Sequence, residues 1–157
     1  MERSGRIWPH IVGRSRNRQV LVLAVIALVL LATGGFVLGL PVGFSLGWIA
    51  VAFGIAVAAG AVRAGLVPTV GSLWLVTLWW FVCPPLVGYL TGDWATATRY
   101  SYPRALGYGY STAAAELRGG IEAGLTSGLV AAVLIGTGGY LIGTVTSWAA
   151  TQLKRRG

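Results

Sequence analysis

The chain has 157 residues, 55% of them hydrophobic and only 10% charged, with 24 glycines, a formal net charge of +8 and a mean hydropathy of +0.74. No charged residue occurs between Arg18 and Arg63, between Arg63 and Asp93, or between Glu122 and Lys154. This excludes a water-soluble enzyme, a coiled coil and a disordered tail. Because the basic residues sit at the ends of apolar runs, they point to a membrane boundary rather than to nucleic acid.

Residues 1–19 form a basic tail with Arg3, Arg6, Arg14, Arg16 and Arg18. The apolar run that follows, residues 20–40, exceeds the roughly 7 to 15 residues of a secretory signal and lacks a small-residue exit, so it reads as an uncleaved first span. The uncharged stretch from Gln19 to Val62 is about twice the ~20 residues that one helical crossing needs, so it must fold back once. Gly39-Leu40-Pro41-Val42-Gly43 is the natural turn, since proline ends a helix and glycine permits a reversal.

A second span is expected at about residues 45–65. The segment from Gly65 to Gly71, with Pro68 at its centre, predicts the next turn, with Ser72 capping a third span over residues 72–91. Residues 92–120 form the main polar loop. Its first half is too rich in glycine and tyrosine for a stable helix, and its second half predicts a short helix from Ser111 to Arg118, capped by Ser111 or Thr112. Gly119-Gly120 is expected to joint this helix to a fourth span over residues 121–150, and residues 151–157 form a second basic tail with Lys154, Arg155 and Arg156. The expected fold class is therefore an all-α integral membrane protein, four transmembrane helices in an up-down bundle spanning residues 20–150.

Four spans place both termini and the second turn on one side, with nine basic residues there against Arg99, Arg104 and Arg118 on the other. Short basic flanks stay cytoplasmic, so the expectation is a cell-membrane protein with both termini in the cytoplasm and the tyrosine-rich loop outside. Trp48, Trp74, Tyr89, Trp94 and Trp148 fall near expected span ends, as an interfacial belt requires.

Two sets of small residues recur at helical spacing. Gly35 and Gly39 stand four apart, and in the fourth span Gly128, Ala132, Gly136, Gly139, Gly143 and Ser147 alternate steps of four and three. Such faces let another helix backbone approach closely, which drives association in lipid; they serve packing within the bundle or contact with another chain. The string Leu30 to Gly39 also echoes Leu134 to Gly143, with five identities. A duplicated hairpin would relate spans one and three instead, so the echo reads as one packing solution used twice, either against each other or each against another helix.

Pro84 and Pro85 predict a kink in the third span that deprives the carbonyls of Trp80 and Phe81 of their usual N–H partners. The bend either fits neighbouring helices or opens a polar notch. Cys83 is single and reads as a packing residue. In the loop, Tyr100, Tyr102, Tyr108 and Tyr110 form a docking surface or lie at headgroup depth.

Away from their ends the four expected spans carry no charged side chain of the kind a proton or ion carrier would need. His10 is the single histidine and lies in the tail. No catalytic residue, metal ligand set or cofactor is therefore expected, and Glu122 is expected to pair with Arg118 one turn before it. The reading is a non-catalytic membrane protein, an accessory or self-associating subunit that contacts the bilayer and either a second copy or another membrane protein. The alternative is a small oligomeric facilitator or pore for a neutral solute, lined by Thr77, Thr126, Ser127, Thr137 and the carbonyls at the prolines.

Overall fold

The computed structural model describes residues 11–40, 46–92 and 110–155. Among these there is no strand, and five helices follow in order: α1 Ser15–Val37, α2 Leu46–Ala61, α3 Leu66–Thr91, α4 Ala113–Leu125 and α5 Ser127–Lys154. Three stretches are long and apolar enough to cross a membrane: α1, α3 and the nearly continuous α4–α5 of 42 residues. The 16 residues of α2 rise only about 24 Å against a hydrocarbon core of ~30 Å. Large apolar side chains cover the outside, among them Leu31 at 75% exposure and Leu134 at 70%. A surface of this kind is at home in lipid, whereas water would drive it to aggregate.

Helix ends show why the chain turns where it does. Beyond α1, Gly39 N–H bonds to Phe36 C=O and Leu40 N–H to Gly35 C=O, with Gly39 left-handed at φ 87°. This pair of bonds is the Schellman closure that ends a helix on glycine. The same closure ends α2, through Arg63 N–H to Gly60 C=O and Ala64 N–H to Ala59 C=O, but there the left-handed residue is Arg63 at φ 56°.

The α2–α3 turn is shorter than the sequence suggests. α3 starts at Leu66 rather than residue 72, because Pro68 falls in its first turn, where backbone N–H groups have no helical partner to lose. Ser72 is consequently a buried interior residue, not a cap, and Thr69 Oγ1 donates instead to Gly65 C=O. α1 also begins earlier than expected, at Ser15, and so includes Arg16 and Arg18.

α3 is the centre of the packing. α1 lies along it in the same sense, with Val25, Ala32 and Phe36 buried against Val76, Trp79, Trp80 and Cys83, and Trp79 Nε1 donating to Thr33 Oγ1 at 2.8 Å. Trp48 of α2 joins this cluster, its ring centroid 5.9 Å from that of Trp79 and 5.8 Å from that of Trp80. α2 packs chiefly on α5, and Ala52, Ala56, Leu73 and Ala132 form the core where α2, α3 and α5 meet. The register of contacts makes α2 and α5 run in the same sense and α3 run against α5: Ala56 meets Gly139 and Gly60 meets Thr144, while Gly128 meets Thr77 and Gly136 meets Val70.

One aromatic assignment changes as a result: the early start of α3 carries Trp74 into the helix interior, while Trp48 lies in the first turn of α2 with its ring packed on the α1–α3 cluster. Trp148 and Tyr89 are exposed near helix ends. Trp94, His10, the turn residues from Pro41 to Gly43 and the tyrosines at 100, 102 and 108 lie outside the described residues.

Candidate functional site

The most specific geometry in the molecule is the seam along α4 and α5. Gly120, Gly124, Gly128, Ala132, Gly136, Gly139 and Gly143 are all buried. An added Cβ at Gly143 would fall 1.9 Å from the carbonyl oxygen of Val57, and one at Gly139 would fall 2.5 Å from Ala56 Cβ. From the other side, a Cβ at Gly60 would fall 2.1 Å from Tyr140 C=O. Here two helix backbones touch, the arrangement small residues allow and dispersion rewards. Further along, Gly136 receives Val70 and Leu73, and Gly128 receives Thr77. The glycine face of α5 is therefore filled by this chain's own α2 and α3.

The echoing segment of α1 is placed differently. Phe36 and Tyr140, at matching positions of the two strings, are both buried at 3–4% exposure, but Phe36 packs towards α3 and Tyr140 towards α2. The two strings do not pack on each other: no substantial α1–α5 contact exists. Gly35 is half-buried, and Gly39 is exposed beyond the helix end, so these two do not share a helical packing face. Gly143, its counterpart in the string, continues a helix; Gly39 ends one, with Pro41 two residues on.

The joint between the last two helices lies at Thr126, not at Gly119-Gly120. Thr126 has φ −99° and ψ −77°, and both glycines are inside α4. Glycine lowers helix propensity in water, but Gly120 is needed for contact: its Cβ would fall 2.3 Å from Phe81 C=O. Two side chains of α3 hold the carbonyls on either side of the joint. Trp74 Nε1 donates to Gly124 C=O at 3.1 Å, and Thr77 Oγ1 donates to Gly128 C=O at 3.0 Å. Thr77→Val and Trp74→Phe are each expected to lower stability by about 1 kcal/mol, the upper range for hydrogen bonds within membrane proteins. Denaturant titration in micelles measures this, and loss of less than a third of that in both variants would show that the bonds do not hold the joint.

Pro84 and Pro85 are both buried inside α3. The carbonyl of Phe81, four residues before Pro85, abuts the α4 backbone at Gly120, and Pro85 Cγ packs on the same glycine. A neighbouring helix thus occupies the notch, and the close approach suits a weak Cα–H···O contact. Thr77 is buried at the joint, Thr126 and Ser127 are exposed, and Thr126 Oγ1 bonds back to Glu122 C=O. With the half-buried Thr137 nearly three helical turns beyond Ser127, these polar groups do not converge on one lining.

Glu116 falls in the short helix expected outside the fourth span, and the structure buries it. It is 1% exposed and lies on the α4 face that carries Gly120 and Gly124 towards α3, so an ionisable group is buried within the long α4–α5 stretch. Its spacing of four from Gly120 was the available signal. Thr112 caps α4, accepting from Ala115 N–H at 3.1 Å. The Arg118 and Glu122 pair forms at 3.4 Å but is solvated on both sides and adds little stability. Tyr110 is half-buried, with its hydroxyl against Gly119. Cys83 packs in the α1–α3 cluster. Among the described residues, no three His, Cys, Asp or Glu side chains are grouped to hold a metal.

No protein-family model, curated protein or solved structure matches this chain.

Proposed function

We propose that the chain is a non-catalytic membrane subunit with four spans running up and down, both termini at the cytoplasmic face, that self-associates through the outer face of α2. The observation that carries this reading is a contrast between two small-residue faces. The one on α5 is filled from within, whereas Gly47, Ala50, Gly54 and Ala61 on α2 share one helical face and are all exposed. Nothing stands within 4 Å of a Cβ added at Gly54. The face is uncharged and made of small side chains throughout, so a second copy of it is a matching partner for close backbone contact.

The orientation is supported by the gathering of charge. Arg14 N–H donates to Arg63 C=O, which brings the start of α1 and the α2–α3 turn to one end, and α5 carries Lys154 and Arg155 past that same turn. Basic ends of this kind are retained on the cytoplasmic side. The non-catalytic reading rests on the residue inventory, with one histidine and four carboxylates in the whole chain.

Native mass measurement of the protein released from nanodiscs tests the association. The wild type is expected as a closed oligomer and Gly54→Leu as a monomer with unchanged helicity, while Gly34→Leu, on an equally open site of α1, stays oligomeric. A monomeric wild type, or an oligomer that survives Gly54→Leu, would remove the α2 face from consideration. A second, different polypeptide in the wild-type complex would replace self-association with an accessory role.

A further inference from the structure

We infer that the groove between α1 and α2 is a binding site for one anionic phospholipid, with an acyl chain along the groove and the phosphate between Arg14 and Arg63. The two helices are consecutive in the chain but do not pack along their length; instead they leave a cavity of 560 Å³. Its walls are apolar, with Leu21, Ala24 and Leu28 on α1 and Val51 and Ile55 on α2. One polar residue reaches it, Asn17, and that residue closes the end by donating to Val62 C=O.

Length selects an acyl chain over a helix as the occupant. From Asn17 to Leu28, and from Val62 back to Val51, each wall covers about 16 Å of helical rise, one leaflet of a ~30 Å hydrocarbon core. A partner helix crossing the bilayer would need a groove twice as long. Beyond Val51, Trp48 of α2 already reaches into the α1–α3 cluster.

Charge selects the headgroup. The closed end of the groove is where Arg14 N–H meets Arg63 C=O, and both residues are exposed. The described carboxylates, Glu116 and Glu122, lie on α4 near the opposite end of α3. Basic pockets between membrane helices take up anionic headgroups in this way. Arg63 adds an independent indication. It occupies the left-handed closing position of α2, where Gly39 and Gly92 serve α1 and α3. Glycine is the unstrained choice at such a position, and here an arginine occupies it and sets its guanidinium at the foot of the groove.

The experiment compares retention of phosphatidylglycerol and phosphatidylcholine with matched chains, by native mass spectrometry of protein delivered from mixed nanodiscs. The wild type is expected to retain one phosphatidylglycerol per protomer with about tenfold preference. Arg63→Gly is expected to abolish most of that preference while leaving thermal stability unchanged or higher, which separates lipid binding from folding. Ala24→Trp, which fills the groove, is expected to remove the bound lipid whatever its headgroup. Lys154→Gln with Arg155→Gln removes charge from the same end outside the groove and should leave retention intact; an equal loss there would reduce the effect to general surface charge and overturn the site. A wild type with no retained lipid would also overturn it, as would an Ala24→Trp variant that loses a second protein copy instead. Gly54→Leu is expected to keep the lipid, so failure of the association reading is distinguishable from failure of this one.

Discussion

Gly143→Ala is expected to destabilise the protein by about 2–3 kcal/mol, the range for forcing a methyl group into a well-packed interior. Neither side of the seam has a flexible group to move: the added carbon would meet the Val57 carbonyl oxygen at 1.9 Å, its carbonyl carbon at 2.8 Å and the Ala61 nitrogen at 2.9 Å. α2 would have to shift bodily away from α5, loosening the shared core of Ala52, Ala56, Leu73 and Ala132. Gly60→Ala makes the mirror-image clash with Tyr140 and is expected to cost about as much, with the double variant less than additive because one displacement relieves both. Gly138→Ala supplies the control: nothing lies within 4 Å of its Cβ, so the higher helix propensity of alanine should leave stability unchanged or raised. Unfolding in mixed micelles, followed by far-UV circular dichroism, gives the three values. Equal stability of the Gly143 and Gly138 variants would mean that the backbones do not touch.

The second large effect is expected where the start of the described chain meets the α2–α3 turn. Gly13 and Gly65 are both left-handed, at φ 76° and 101°, and each backbone fills the space in which the other would carry a side chain. A Cβ at Gly13 would fall 1.8 Å from Ala64 C=O, and one at Gly65 would fall 2.5 Å from the carbonyl carbon of Val12. Gly65→Ala therefore combines a backbone conformation open almost only to glycine with a steric clash, a combined loss of about 2–4 kcal/mol. The contact is expected to open before the helices separate, so hydrogen exchange at Arg14, whose N–H bonds to Arg63 C=O, should accelerate more than exchange within α3. Uniform acceleration across the molecule would show that this clasp has no separate role.

The two predictions concern the same physical device, at the C-terminal end of α2 and at the turn just beyond it. In lipid, apolar side chains gain little by leaving the solvent, so contact between helices rests on fit and on the few hydrogen bonds that bridge them. The glycines matter because they let carbonyl oxygens and α-carbons of neighbouring helices approach. Trp74 and Thr77 matter because they supply donors to the carbonyls on either side of a helix joint.

Particular elements show how far the amino-acid order alone reaches. Uncharged runs of membrane-spanning length made the apolar helices and their approximate places legible, and Thr112 announced the start of α4 as a short hydroxyl side chain before a helical run. The small-residue face of α5 was legible too, from spacing alone. Its partner was not, since any helix fits a groove of glycines until the other contacts are known. For the same reason two nearly matching strings, ending in Gly39 and Gly143, close one helix and continue another. Pro68 was misleading because proline breaks a helix only beyond its first turn, and Gly119-Gly120 because propensity for water says little where α3 presses on the backbone.

Local chemistry determined which segments are helical, which of them are apolar enough to cross a membrane and where the basic charge lies, because those follow from the transfer of each side chain and peptide group out of water. Tertiary structure alone decided which helix fills the glycine face, that Glu116 is buried, that α1 and α2 stand apart around an apolar groove, and that Arg63 adopts a left-handed turn at its foot. These depend on the simultaneous fit of distant backbones, and that fit is a property of the assembled helices rather than of any single stretch of chain.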